Sequence, residues 1–141
     1  MLESSEPFFG YANGASHGTH NLSSAACAIF APSCELVIFQ GICIDQSTKN
    51  IVEHNALIKL FSNAISLGIF CIIMRLDSQL VVLQLCSVYT VQNTAIHHMF
   101  LRVCILERNF DYIQYQQISR KFNTSVDSLA NYVLNRHLQH M

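Results

Sequence analysis

The interpretation of this chain depends on one stretch, Met74-Arg75-Leu76-Asp77-Ser78-Gln79-Leu80-Val81-Val82. The apolar run from Ile69 to Leu76 leads into it and is rich in β-branched residues without polar alternation, which is typical of a buried strand. The run ends at Asp77, and helical spacing returns over residues 78–85. Asp77 is therefore predicted at a strand-to-helix turn, where open α/β sheets usually place their catalytic and ligand-binding residues.

The composition predicts one compact domain with little surface charge. At 141 residues the chain is long enough to bury roughly two thirds of the surface that its unfolded form exposes. Hydrophobic residues make up 51% of the sequence and charged residues 12%, which excludes a disordered chain. The formal net charge of -1 provides no overall basic field, so nucleic-acid binding must depend on local features.

The sequence also indicates a cellular compartment. Six cysteines are spread singly, with no C-x-x-C pair, and are interpreted as reduced core residues. The N-terminal residues do not resemble a signal peptide, and the apolar run from Ile65 to Leu76 is shorter than the ~20 residues of a spanning helix. These features predict an intracellular protein, cytoplasmic or nuclear, with no membrane role.

Three strands are predicted in the first third of the chain, at residues 7–12, 25–31 and 35–44. The first of them ends in a predicted turn at 13–16, where Asn and Gly are followed by Ala and Ser. Only a short turn separates the second strand from the third, so these two are expected to form an antiparallel hairpin. Together the three strands are expected to form a meander.

Helical spacing dominates the remainder of the chain. Ser47 or Thr48 can cap a long helix, and Gly68 closes it. The elements predicted after it are a strand at 69–76, a short helix ending near residue 86, a helix at 94–107, a strand at 110–118 and a last helix at 126–138.

The predicted order is βββαβααβα, which is an α/β domain with a mixed five-stranded sheet flanked by helices. This domain is assigned to residues 7–138, between a polar lead at 1–6 and a short tail at 139–141. Both faces of the strand at 110–118 are of mixed polarity, so an edge position is expected for it.

Four positions of this topology can converge on one end of the sheet. Asn13 ends the first strand, Glu53 lies in the first turn of the long helix, Asp77 ends the fourth strand and Asp127 lies in the first turn of the last helix. Mg²⁺ prefers hard oxygen ligands, and a two-metal site for phosphoryl transfer needs several carboxylates. Three acids in these positions therefore favour metal-assisted chemistry.

Simpler explanations exist for each of these residues. Asp77 can serve as the N-cap of the helix that follows it. The helix dipole by itself favours an acid such as Glu53 or Asp127 in a first turn. The histidine pairs at 97–98 and at 137 and 140 are interpreted as surface or core residues rather than metal ligands.

Four segments, taken in order, resemble the type 1 ribonuclease H family. They are Tyr11 to Ser16, Thr48 to Leu57, Leu76 to Val82 and Asn123 to Asn131. The resemblance covers about residues 8–138, and more narrowly the chain is similar to the ribonuclease H-like domains of plant Ty3-type retrotransposon polyproteins and their cellular relatives. It implies a ribonuclease H-like fold.

The resemblance also implies a chemistry. In the family, four motif carboxylates bind two Mg²⁺ ions, which Mn²⁺ can replace, and a metal-activated water cuts the RNA strand of an RNA–DNA hybrid. By motif, Glu53, Asp77 and Asp127 match three of these metal ligands. Asn13 occupies the catalytic position of the first aspartate, because the family's D-G-[AS]-S is Asn13-Gly14-Ala15-Ser16 in this chain. An amide oxygen carries no charge, so cleavage is expected to be weakened or lost.

Other motif positions match residues that contact the hybrid in the family. Asn50 and Gln79 match such positions, whereas Lys49 stands where relatives often carry an Asn. Arg120 remains in a segment that resembles H-[IV]-P-R, and Lys121 follows it. The predicted nucleic-acid-binding set is Gly14, Ala15, Ser16, Asn50, Gln79, Arg120 and Lys121.

Two functional interpretations remain open. The first is an RNA–DNA hybrid endonuclease with an impaired metal site. The second is a non-catalytic nucleic-acid-binding or protein-interaction module that was repurposed from a retroelement ribonuclease H, whether as part of a longer polyprotein or as an independent product. The apolar composition makes self-association a variant of the second.

Overall fold

The computed structural model describes residues 6–17, 22–45, 49–86 and 94–119. The strands are β1 (Phe8–His17), β2 (Leu22–Phe30), β3 (Leu36–Asp45), β4 (Cys71–Leu76) and β5 (Tyr112–Gln117). The helices are α1 (Lys49–Ser66), α2 (Gln79–Leu85) and α3 (Thr94–Glu107). The predicted last helix, the cap at Ser47 or Thr48, residues 1–5 of the polar lead and the tail at 139–141 lie outside the described residues.

The strands form one mixed sheet in the order β3-β2-β1-β4-β5. β1 pairs antiparallel with β2 and β2 pairs antiparallel with β3, which confirms the predicted hairpin and meander. β4 runs parallel to both β1 and β5. The predicted α/β class and five-stranded mixed sheet are therefore confirmed, and β5 lies at an edge as expected.

The predicted turn at residues 13–16 is wrong, because β1 continues through these residues to His17. Asn13 pairs with Ala26, and the ladder runs without interruption to the pair of His17 with Leu22. β2 consequently begins at Leu22 rather than at residue 25. Pairing across the ladder outweighs the local turn preference of Asn and Gly. Asn13 lies inside β1 and not at its end.

Two glycines of β1 determine how α1 lies on the sheet. A Cβ built on Gly10 would lie 2.9 Å from Leu60 Cδ2, and one on Gly14 would lie 2.4 Å from Val52 Cγ1. The two glycines are about 13 Å apart along a strand, and the two contacted residues are about 12 Å apart along a helix. α1 therefore runs antiparallel to β1, with its N-terminal turns above the C-terminal half of β1.

The core lies between α1 and the sheet face that it covers. Leu57, Leu60 and Phe61 of α1 are fully buried, and the Phe61 ring packs edge-on against Phe110 at 5.3 Å between centroids. Val103 of α3 is buried in the same cluster. Val103 and Ile96 of α3 are buried, and Phe100 and Cys104 of the same helix are half-buried. Gly68 closes α1 at a φ of 73°, as predicted.

All six cysteines lie in the described part of the chain and none of them forms a disulfide, but they are not all core residues. Cys27 is fully buried, whereas Cys34 and Cys86 are exposed, so the core interpretation is wrong for those two. Cys34 lies in the turn between β2 and β3 and Cys86 follows α2, so both lie outside the helices and strands. Among the described helices none is long and apolar enough to cross a membrane.

Candidate functional site

Asp77 directly follows the last residue of β4 and precedes α2. The end of β4 is tied to β5, because Ile118 N–H donates to the Leu76 carbonyl at 2.8 Å. The N-cap of α2 is Ser78, whose Oγ accepts a hydrogen bond from Val81 N–H at 3.3 Å. The simpler explanation of Asp77 as the cap is therefore wrong, since the neighbouring serine caps the helix. Asp77 is half-buried, and its Oδ2 atom is buried.

Asn13 lies beside Asp77 on the adjacent strand. The parallel pairing of β1 with β4 runs as far as Ala12 with Leu76, and Asn13 and Asp77 are the next residues of their two strands. Adjacent strands lie ~4.8 Å apart, so the two residues are neighbours at the carboxyl end of β4. Asn13 is 1% exposed, and its Oδ1 accepts a hydrogen bond from Gly14 N–H at 2.8 Å.

Glu53 reaches the same level of the sheet from α1. It follows Val52, whose side chain fills the space over Gly14, so the missing side chain of Gly14 allows the close approach. Glu53 is 6% exposed, and its Oε1 atom is buried. Because α1 begins at Lys49, Glu53 lies in the second turn and the prediction of a first-turn position is wrong. The helix dipole therefore explains its presence less well, since that effect fades beyond the first turn.

The described part of the site provides one amide oxygen and two carboxylates, from Asn13, Glu53 and Asp77. These are the hard oxygen donors that Mg²⁺ and Mn²⁺ accept, so the residues fit a divalent cation in kind. Among the described residues no three His, Cys, Asp or Glu side chains surround a common metal position. The predicted fourth ligand, Asp127, lies outside the described residues.

His54 adds a fixed polar group next to Glu53. It is fully buried, and its Nδ1–H donates to the Asn50 carbonyl at 2.8 Å, one helical turn earlier. Burial lowers the pKa of the imidazole, which keeps it neutral. Asn50, a predicted hybrid contact, is half-buried and lies on this first turn of α1. The family motif did not single out His54.

Arg75 connects the strands that carry the site and was not predicted to have a role. Its Nη1 donates to Tyr11 Oη at 2.7 Å and its Nε donates to Gln116 Oε1 at 3.1 Å. The guanidinium carbon also lies 4.4 Å from the centroid of the Phe9 ring. Arg75 therefore joins β1, β4 and β5 two residues before Asp77. Its one signal in the sequence was a lone charge inside an apolar strand.

The structure describes only some of the other predicted hybrid-binding residues. Gln79 is exposed in the first turn of α2. Gly14, Ala15 and Ser16 lie in β1, and Gly14 is buried beneath Val52. Arg120 and Lys121 lie outside the described residues, so their predicted contact with phosphate remains a prediction.

The strand order, the helix crossing over β1 and the acid that follows β4 define a ribonuclease H-like α/β domain. A family model described as reverse transcriptase-like matches residues 12–133 of the chain. The chain belongs to this reverse transcriptase-like family, and its domain is related to prokaryotic ribonucleases HI.

Two curated relatives illustrate the range of the family. Ribonuclease HI of Halobacterium salinarum is 29% identical over 125 residues, which is 89% of this chain and 63% of that protein. The bifunctional protein Rv2228c of Mycobacterium tuberculosis is 26% identical over 121 residues, which is 85% of this chain. The chain spans 33% of the length of that mycobacterial protein.

Solved structures match the fold over nearly the whole chain. The crystal structure of the H. salinarum ribonuclease H1 has a TM-score of 0.88 at 28% identity and covers 93% of this chain and 99% of its own. The N-terminal ribonuclease H domain of Rv2228c matches with a TM-score of 0.88 at 24% identity. This match covers 95% of this chain and 97% of that chain. LC11-RNase H1, solved in complex with an RNA/DNA hybrid, matches with a TM-score of 0.87 at 21% identity. This match covers 93% of this chain and 99% of that chain.

Proposed function

We propose that this chain recognises RNA–DNA hybrids and that its metal-dependent cleavage of the RNA strand is weakened or lost. The observation that carries the proposal is the position of Asn13, one residue beyond the β1–β4 ladder and beside Asp77. An uncharged amide therefore lies beside Asp77 in the proposed site. Relatedness to ribonucleases HI supports the choice of substrate.

The effect of the amide is electrostatic. Two divalent cations held ~3.5–4 Å apart repel each other strongly, and anionic ligands offset this repulsion. The proposed ligands Glu53, Asp77 and Asp127 carry three negative charges, whereas an aspartate in place of Asn13 would bring a fourth. Because Asn13 is buried, water does not compensate for the missing charge. Affinity for the pair of cations should fall more than affinity for one.

The proposed chemistry when Mg²⁺ or Mn²⁺ is bound is activation of water for attack on a phosphodiester. The residues of the chain hold and orient the oxygen donors. Asp77 is fixed between the end of β4 and the capped start of α2, and the β1–β4 pairing holds Asn13 beside it. The proposed hybrid-binding residues are those of the sequence prediction, with Asn50 and Gln79 on the first turns of α1 and α2.

A second candidate function is binding without cleavage, in a domain that was repurposed from a plant Ty3-type retroelement. The same residue favours it, because an amide keeps the shape of the site while removing charge. The two candidates differ in whether restoring the charge at position 13 restores metal-dependent cutting.

Cleavage of a labelled RNA–DNA hybrid tests the proposal. We expect the wild-type protein to cut slowly or not at all with Mg²⁺ or Mn²⁺, and we expect Asn13→Asp to increase cutting by at least about tenfold, which corresponds to about 1.4 kcal/mol of barrier. Asp77→Asn in the Asn13→Asp background should abolish the gain, because it removes a proposed metal ligand.

Binding of the same hybrid without metal, combined with the cutting assay of Asn13→Asp, separates the two candidates. Hybrid binding by wild type together with restored cutting in Asn13→Asp supports an impaired nuclease. Hybrid binding without restored cutting supports the binding module. If the wild-type protein cuts as fast as Asn13→Asp, the proposed loss of activity is wrong, and if neither protein binds hybrid, the proposed substrate is wrong.

A further inference from the structure

Asn13 is followed by Gly14, the one place in the sequence where glycine follows asparagine. An asparagine side chain can be attacked by the backbone nitrogen of the next residue, which closes a five-membered ring and releases ammonia. Glycine favours this attack, because it has no Cβ to obstruct the approach. Every other asparagine of the chain is followed by a residue with a side chain, so position 13 is the one best suited to deamidation.

The structure brings the two reacting groups of this pair together. Gly14 N–H donates a hydrogen bond to Asn13 Oδ1 at 2.8 Å. Because an amide C=O bond is about 1.2 Å long, the Gly14 nitrogen lies within about 4 Å of Asn13 Cγ. Reacting atoms in near-attack geometry are ~3–3.5 Å apart. A small movement within β1 therefore brings the nitrogen to the carbon that it would attack.

Packing keeps the reactive glycine in place. A Cβ on Gly14 would lie 2.4 Å from Val52 Cγ1, so a larger residue at this position would push α1 away from β1. The residue that allows the helix to approach the sheet is thus the same residue that leaves Asn13 open to attack from the backbone.

The pairing of β1 determines how water reaches the ring. The β1–β4 ladder ends at Ala12 and Leu76, so among the described strands residues 13–17 of β1 pair with β2 alone. A segment that is held on one side opens locally more readily than one that is held on both. Such opening admits water to the Asn13 side chain, which is 1% exposed in the folded state. Deamidation is therefore expected to be slow.

We propose that Asn13 deamidates spontaneously through Gly14 and becomes an aspartate, so that the domain gains a further carboxylate in its site as it ages. The chemical step depends on the Asn13-Gly14 pair alone. Its consequence for cleavage rests on the function proposed above.

The reaction consumes one water and releases one ammonia, with no oxidation or reduction. The Gly14 nitrogen loses its proton to solvent and bonds to Asn13 Cγ, while the bond from Cγ to Nδ2 breaks and the amide leaves as ammonia after taking up a proton. Water then adds to Cγ of the ring, and the bond between Cγ and the Gly14 nitrogen breaks. This restores the Gly14 N–H and leaves a carboxylate at position 13.

The β1–β2 ladder favours aspartate over its isomer as the product. Water can also attack the main-chain carbonyl of the ring, which gives isoaspartate and adds one methylene to the backbone. The ladder continues on both sides of the reacting pair, from Ala12 with Cys27 to Ala15 with Ser24. A longer backbone between these pairs would disrupt their register. Opening of the ring at Cγ leaves the register unchanged.

Peptide mapping by mass spectrometry tests the modification without an activity assay. Purified wild-type chain is incubated for several weeks at physiological temperature in water labelled with heavy oxygen. We expect position 13 to take up the label as normal aspartate at least about tenfold faster than Asn55 or Asn63. These two are internal controls, since each is half-buried and is followed by alanine. Fragmentation of the peptide distinguishes aspartate from isoaspartate.

Hybrid cleavage by the same samples tests the consequence. If Asn13→Asp cuts about tenfold faster than fresh wild type, conversion of about one tenth of the molecules should about double the rate of cutting with Mg²⁺ or Mn²⁺. Asn13→Gln is the matched control, because it keeps an amide but cannot close a five-membered ring. Its rate of cutting should not rise during the incubation.

The mass data and the cleavage data can fail separately. Labelling of position 13 that is no faster than at Asn55 and Asn63, or a product that is mainly isoaspartate, would overturn this inference. Labelled aspartate at position 13 supports it. If that product is found and neither the aged wild type nor Asn13→Asp cuts hybrid, the modification stands and the function proposed above is wrong.

Discussion

The asparagine at position 13 has nearly the same shape as an aspartate but lacks its negative charge. An amide and a carboxylate occupy nearly the same volume, and either can accept the hydrogen bond that Gly14 N–H donates to Asn13 Oδ1. The fold therefore has no need of an aspartate here, whereas a pair of metal ions does. This is why Asn13→Asp is expected to change cleavage without disturbing the sheet.

Cys27 allows a residue-scale prediction on stability. Burial raises the pKa of its thiol from 9.0 to about 11, and Asn63 Nδ2–H donates to its Sγ at 3.6 Å. The unfolded chain releases the thiol proton first, so the stabilisation is complete below pH 9 and is lost as the pH rises towards 11. We expect urea denaturation under reducing conditions to show a loss of about 2–3 kcal/mol across this range that Cys27→Ala lacks.

Cys34→Ser is the control for Cys27, because Cys34 is exposed. Its stability should follow the same pH dependence as the wild-type protein. If Cys27→Ala loses as much stability as wild type between pH 9 and 11, then the buried thiol is not the group responsible.

At the scale of elements, the contact of α1 with β1 positions the site. The residues that make it possible are Gly14 and Val52, because the helix comes so close that a methyl group has no room between them. Glu53 follows Val52 and Asn13 precedes Gly14, so the same contact that closes the core also places two of the proposed site residues. Packing and site geometry are thus coupled at this point.

Gly14→Ala is expected to destabilise the fold by about 1–3 kcal/mol, since the new Cβ overlaps Val52 Cγ1 and forces α1 away from β1. Val52→Ala removes that γ-carbon, so the double variant should be more stable than the sum of the two single effects predicts. Thermal or urea denaturation measures all three variants.

Gly68→Ala is the matched glycine control for this cycle. Its φ is 73° but its Cβ position has no atom within 4 Å, so the substitution costs backbone strain without a clash. The loss of stability caused by Gly68→Ala should add to the loss caused by Val52→Ala. Strict additivity for Gly14→Ala as well would show that the close approach of α1 and β1 is not rigid.

At the scale of the whole molecule, charge limits how the domain can hold a nucleic acid. The chain has eight Lys and Arg residues against nine Asp and Glu. Arg102 and Arg108 are exposed on or just after α3, and Arg108 lies near the start of β5, at the end of the sheet opposite to Asp77. Among the described basic residues, Arg108 therefore lies away from the proposed site.

We expect hybrid binding to depend weakly on salt. If Arg120 and Lys121 make the phosphate contacts, log K against log salt should have a slope of about −2, and Arg120→Ala or Lys121→Ala should each reduce the slope by about 1. Arg108→Ala should leave it unchanged. A steep slope that neither of the first two variants alters would mean that other cations bind the backbone.

Most elements of the fold could be predicted from sequence because their signals are local. The apolar run before Asp77, the spacing of α1 and the closing Gly68 each depend on neighbours within a few residues. The extension of β1 through Asn13 to His17 could not be predicted, since it depends on pairing with β2, a separate segment of the chain. The choice of Ser78 over Asp77 as the N-cap of α2 could not be predicted either. Serine and aspartate are both favoured at that position, and only the side-chain geometry distinguishes them.

The sequence by itself determined the class of fold, the family and the exchange of an aspartate for Asn13, because these depend on residue identity, order and spacing. The tertiary structure alone decided that Asn13 lies inside β1 beside Asp77 and that Gly14 allows α1 to pack closely against the sheet. It also decided that Arg75 joins three strands. The physical reason is that contacts between distant segments depend on strand register and close packing, and no local pattern encodes either.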